Sequence, residues 1–213
     1  MAKYHNEILQ NSDEWSQIRL GKLTASDFHV MLGKSQTKTD RLWEVIAERI
    51  FKDTDQENFA TFAMERGRIL ESEARRAYMI ENEVNVDITG FVECDDEYAD
   101  FVGCSPDGLV GDDGLIEIKC PLAKNFLQWT EPTDEGRQVK YIKPEYYTQI
   151  QFNLLVTGRQ WIDFCYYHPR GGLVVKRYYP DPEHIAKIKT ALDECIAFVC
   201  AQTGEPNPLQ PKE

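Results

Sequence analysis

The chain has 213 residues, 42% of them hydrophobic and 11% aromatic, enough for one globular domain with a sizeable core and at most a small appendage. No apolar run approaches the ~20 residues of a membrane span, and the opening MAKYHNEILQNSDEW lacks the apolar stretch of a secretory signal. A soluble, cytoplasmic protein with no membrane partner is therefore expected. The net charge of −12 excludes a uniformly basic nucleic-acid binder, but it is unevenly spread: 17 acidic and 4 basic residues lie between positions 53 and 113, against 5 acidic and 9 basic between 119 and 177. An acidic stretch of this kind is either a solvated face or the seat of a carboxylate cluster for divalent cations, and composition leaves both open. The six cysteines form no CxxC pair and no zinc-finger spacing, so reduced, buried thiols are expected.

In chain order, SDEWSQIRLG reads as a short helix capped by Asn11 or Ser12 and stopped at Gly21. Thr24-Ala25-Ser26 offers a second cap before DFHVML, another short helix. DRLWEVIAERIF places Leu42, Val45, Ile46 and Ile50 at helical spacing, and FAMERGRILESEARRAYMIEN aligns Leu70, Ala74, Ala77 and Tyr78 on one stripe with Glu71 beside it. Strand patterns follow in VNVDI, FVGCS and GLIEIKC, separated by Gly/Asp turns. PEYYTQIQFNLLVTG returns to helical spacing and stops at Gly158; WIDFCYY and LVVKRYY read as two strands. PEHIAKIKTALDECIAFV is an amphipathic helix ahead of a Pro-rich, loose tail. The pattern predicts an α/β domain over 1–202, a mixed central sheet flanked by helices, with 203–213 as the tail.

The stretch CSPDGLVGDDGLIEIKC carries the chemistry. In a strand Ile116 and Ile118 share the core face, so Glu117 and Lys119 point together the other way. Nine residues separate Asp107 from Glu117, enough for a strand, a Gly-Asp-Asp-Gly turn and the return, which brings the two carboxylates side by side. Two carboxylates beside an ammonium suit a hard divalent cation and a nearby water or phosphate oxygen. The alternative is an exposed hairpin with a cross-strand ion pair. Glu71, on the upstream helix, could add a third carboxylate.

The Pro-Asp…Glu-x-Lys arrangement resembles that of metal-dependent nucleases. With EWSQIRLGKLTAS (14–26), ERGRILESEA (65–74), CSPDGL (104–109), LIEIKCP (115–121) and YTQIQFNLLVTG (147–158) in order, the chain resembles the phage lambda exonuclease (YqaJ-type) recombination nucleases of the PD-(D/E)xK superfamily from about Trp15 to Val199. The resemblance implies that Asp107, Glu117 and the Ile118 carbonyl are central metal ligands, that Glu71 helps to hold a second ion, that Lys119 activates or positions water, and that Gln149 lies near the active site. It implies two Mg2+ per site, with Mn2+ as a substitute. Arg19, Ser26 and Ser105 match the grip on a terminal 5′-phosphate. The family's second phosphate-binding arginine is absent: Lys124 takes its place with a one-residue gap, Asn125 without one.

The implied activity is 5′→3′ digestion of one strand of duplex DNA. It releases mononucleotides and leaves a 3′ overhang for recombination beside a single-strand annealing protein, with a trimeric ring as the assembly. An endonuclease sharing the same metal core is the alternative. Trp129, Trp161, the tyrosine pairs, His168 and His184 receive no role.

Overall fold

The computed structural model describes residues 2–53 and 62–210. Local sequence signals start most of its helices. Ser12 caps α1 (Asp13–Arg19), accepting the Trp15 amide at 3.2 Å, and Ser35 does the same for Lys38 at the head of α2 (Gln36–Phe51). Leu42, Val45 and Ile46 of α2 are buried, whereas Ile50, in its last turn, is 52% exposed. Helix α3 (Phe62–Asn82) keeps the predicted bounds.

The predicted sheet is present in mixed form but divided. One four-stranded sheet has the order β1-β3-β4-β2, from Lys3–His5, Phe91–Glu93, Val102–Cys104 and Leu23–Thr24. The other has the order β10-β9-β6-β5, from Gly172–Tyr178, Trp161–His168, Gly114–Lys119 and Gly108–Val110. Each contains one parallel pair, β2 with β4 and β6 with β9. A separate hairpin, β7 (Thr130–Thr133) with β8 (Gly136–Val139), follows the short helix α4 (Ala123–Trp129).

Helix α5 (Pro144–Thr157) is packed between the two sheets. Phe152 and Val156 join Val92, Val102 and Cys104 of the first sheet, while Ile150 and Leu154 join Leu115, Ile162 and Phe164 of the second. Gly158 ends it at φ 66°, a left-handed cap that suits glycine. Helix α6 (Pro182–Thr203) adds Ile188, Leu192, Ile196 and Val199 to the first core. On the far side of the second sheet, Ala74 and Tyr78 of α3 are buried against Ile116 and Ile118, with Leu70 and Ala77 at the border. Strand β6 is therefore covered on both faces, by α3 on one and α5 on the other.

Three sequence expectations are corrected. VNVDI forms no strand; it touches β5 through one isolated bridge, Asp87 with Leu109, because Val84 and Val86 turn onto the α3 core instead of continuing a ladder. Ser26 is not a helix cap: DFHVML forms a 3₁₀ helix, Phe28–Leu32, preceded by Asp27, and the Ser26 hydroxyl faces Arg19. The tail is not loose as far as it is described, since Glu205 pairs with Arg49 and Leu209 packs on the first core.

Candidate active site

The β5–β6 hairpin pairs Gly108 with Ile116 and Leu109 with Leu115, so Asp107, one residue before β5, falls opposite Glu117. The Ile118 amide donates to Asp107 Oδ2 at 2.6 Å, fixing that carboxylate at the start of the hairpin. The face carrying Glu117 and Lys119 is not an open solvent face. Helix α5 covers it, and Glu117 is 1% exposed while Lys119 reaches from it half-buried. The exposed-hairpin alternative is thereby excluded.

A carboxylate at that depth must be compensated. Lys119 Nζ and Gln149 Nε2 donate to Glu117 Oε1 at 2.6 and 2.7 Å, and Asn153 Nδ2 donates to Oε2 at 3.1 Å. On α3, Glu71 is ion-paired with Arg75, whose Nε also donates to the Asp107 carbonyl at 3.0 Å. Burial, reinforced by the Asp107 charge, pushes both Glu71 and Glu117 up to about 7. Burial also raises Asp107, against the pull of Lys119. Burial alone would lower Lys119, but Glu117 and Asp107 outweigh it and hold its ammonium charged.

Asp107, Glu117, Ile118, Lys119, Glu71 and Gln149, the six residues predicted for the catalytic centre, all line one cavity of about 530 Å³. Sequence reasoning missed its other walls. Arg66 holds the end of β6 through the Cys120 carbonyl at 2.6 Å, and Lys143 lies 5.1 Å from the Trp129 ring and 5.2 Å from that of Tyr146. It also missed Arg75 and Asn153. Their spacing was a usable signal: Arg75 follows Glu71 by four residues, and Asn153 follows Gln149 by four, one helical turn on along the same face.

The three residues matched to a 5′-phosphate grip also converge. Arg19 Nη2 donates to Thr24 Oγ1 at 3.1 Å and Ser26 Oγ at 3.5 Å, and Nη1 donates to Ser105 Oγ at 3.4 Å. The guanidinium stacks 4.2 Å above the Trp15 ring, whose indole N–H donates to Ser105 Oγ at 2.9 Å. Among the described residues no carboxylate bonds to Arg19, and burial lowers its pKa. Lys124 does not join this group: it is exposed on α4, whereas Asn125 lines the cavity.

Residues 14–160 match the YqaJ-like viral recombinase domain, more than half of the chain. The chain belongs to that family. Comparison with curated protein sequences gives no match. Among solved structures, the alkaline exonuclease (LHK-Exo) of Laribacter hongkongensis is 34% identical and superimposes with a TM-score of 0.78 over 91% of this chain and 95% of that one. The same exonuclease in complex with dAMP gives 0.79 at the same identity and coverage. A phage-related exonuclease from Haemophilus somnus 129PT shares the fold at 14% identity, TM-score 0.62, over 86% of this chain and 96% of that one. The family match ends at residue 160, so β9, β10 and α6 lie beyond it, while the whole hairpin and α5 lie within it.

Proposed function

We propose that this chain, a nuclease of the YqaJ-like recombinase family, is a Mg2+-dependent exonuclease that digests one strand of linear duplex DNA from a 5′-phosphorylated end. The observation that carries the reading is the pairing of two sites. A cavity holds Asp107, Glu117, Glu71 and Lys119, and beside β4 an arginine is ringed by hydroxyls, with no carboxylate bonded to it among the described residues. The likeness to an alkaline exonuclease at 34% identity supports cutting from an end.

Asp107, Glu117, Glu71 and the Ile118 carbonyl would hold the ions. An all-oxygen donor set suits Mg2+, with Mn2+ as a substitute, better than zinc. The fit rests on carboxyls raised toward neutrality by burial and mutual charge, a conflict that a bound cation relieves. Among the described residues no three acidic, His or Cys side chains enclose a cation; Lys119 and Arg75 hold Glu117 and Glu71 instead. Divalent ions held there would polarise the scissile phosphate and stabilise the entering and leaving oxygens.

The chain's own groups do the remainder. The Lys119 ammonium supplies donors to the attacking water or to a phosphoryl oxygen, and Gln149 holds Glu117 in place. Water adds to phosphorus as the bond to the 3′-oxygen breaks, and that oxygen leaves as a hydroxyl on the remaining strand or mononucleotide according to polarity. In 5′→3′ digestion, the released mononucleotide takes the 3′-hydroxyl and the shortened strand keeps a new 5′-phosphate. Each cut thus regenerates the group that Arg19, Ser26 and Ser105 would bind. The wider reading is a trimeric ring in the bacterial cytoplasm, leaving 3′ overhangs for an annealing protein.

The test compares linear duplexes with a 5′-phosphate or a 5′-hydroxyl. Charge-assisted hydrogen bonds are worth roughly 1.5–3 kcal/mol each, so the phosphorylated end should be digested about tenfold faster or more. Arg19→Ala should remove most of that preference, and Lys124→Ala should change it little. Equal rates on both ends, or efficient cutting of covalently closed circles, would replace this reading with the endonuclease one.

A further inference from the structure

Glu117 receives its donors unevenly. Lys119 and Gln149, both in the cavity wall, converge on the single oxygen Oε1. Bonds to one oxygen leave the carboxylate free to turn about it, and the terminal torsion of a glutamate is broad and offers little resistance. The plane is fixed only by a bond to the other oxygen. Asn153 makes that bond, from Nδ2 to Oε2, at a fully buried position behind the cavity.

Asn153 is unfavourable as a purely structural choice. Its Oδ1 has no hydrogen-bond partner among the described residues and is shielded from solvent. The opposite amide orientation would set Oδ1 against a carboxylate oxygen. Phe152 and Leu154, on either side of it, are apolar, and an apolar residue here would leave no orphan amide oxygen, at the cost of the donor to Glu117 Oε2. The Thr157 hydroxyl bonds the Asn153 backbone carbonyl at 2.7 Å, and that contact does not depend on the side chain.

We infer that Asn153 is a positioning residue for the cation site: it fixes the plane of the Glu117 carboxylate from behind, so that the ligand is presented in one orientation. The inference rests on the proposed cation site and extends it inward by one layer. Partners of metal-ligating carboxylates typically change metal affinity by 10–100-fold when removed.

The experiment titrates the full-length protein with Mn2+ by calorimetry, for wild type, Asp107→Ala and Asn153→Leu, and follows thermal unfolding of each without metal. For Asn153→Leu the expected result is a 10–100-fold loss of Mn2+ affinity with a cooperative metal-free unfolding transition lowered by a few degrees at most, as the loss of one buried hydrogen bond implies. On linear duplex at fixed Mn2+, its kcat should fall, and recover as Mn2+ is raised, while KM for DNA stays constant. Should Asn153→Leu not fold, Asn153→Ser, which is too short to reach Oε2, is read in the same way. An affinity within twofold of wild type, or a loss of affinity accompanied by loss of the cooperative unfolding transition, overturns the role of Asn153. An Asp107→Ala protein that binds Mn2+ as tightly as wild type overturns the cation site itself, and this inference with it.

Discussion

Glu117 illustrates the conflict that the site maintains at the level of single residues. Its carboxyl is buried, opposed by Asp107 and Glu71, and held by Lys119, Gln149 and Asn153. Three acidic side chains so placed repel one another, so neutralising one should relieve the other two. Asp107→Asn keeps an oxygen able to accept the Ile118 amide, as Asp107 does at 2.6 Å, but loses the charge. We expect it to lose activity by at least about a hundredfold while the metal-free protein melts at or above the wild-type temperature, as sites trade stability for function. Near-normal activity in purified Asp107→Asn would remove Asp107 from the chemistry, and a large drop in melting temperature would show that its role is structural.

Single elements differ in how far the sequence alone reveals them. Helix α3 could be read to its ends because a stripe at 3.6 spacing was unbroken from Leu70 to Tyr78. The hairpin at Asp107 could be read because turn residues and alternation agreed. VNVDI misled because alternation reports a two-faced environment, and an extended segment lying on a helix meets that condition without a ladder. The burial of Glu117 could not be read at all, since it depends on α5 crossing over β6 and bringing Gln149 and Asn153 from 32 and 36 residues away in the chain. The short strand β1 shows a further device. His5 Nε2 bonds Glu93 Oε2 at 2.8 Å, and Lys22 reaches Oε1 at 3.2 Å, tying β1 and the turn before β2 to β3. Burial would raise the Glu93 carboxyl, but the His5 bond and the Lys22 charge outweigh it and hold it below the usual 4.5. Folding thus lowers this pKa, so the stabilisation is complete above 4.5 and is lost as the pH falls through the folded value. Glu93→Gln should cost about 1–2 kcal/mol at pH 7.5, and the difference from wild type should narrow as the pH falls below 4.5. Urea midpoints across that fall in pH test it; a shift independent of pH would assign the loss to packing.

At the scale of the whole molecule, the charge pattern and the exposed apolar residues bear on assembly. The chain carries −12 overall, yet its excess acid is concentrated in residues 53–113 and its local excess of base follows Lys119. DNA responds to the potential along its path and not to the sum over the chain, so an acidic total is compatible with a basic track. Among the described residues Trp43 and Phe51 on α2, Ile69 and Ile80 on α3, Leu122 just before α4 and Leu127 on it are exposed large hydrophobics. Such residues are ordinary where they stand singly, and the proposed ring would bury those that fall at its subunit contacts. In the proposed ring the shortened strand would keep its 5′-phosphate, and an enclosing assembly could not step off the duplex between cuts. Light scattering at working concentration should give a mass of about three times 24.6 kDa. With an excess of unlabelled duplex added after initiation as a trap, each bound assembly should continue to digest its first substrate. A monomer mass together with immediate arrest by the trap would remove the enclosing ring and leave the hairpin chemistry standing on its own.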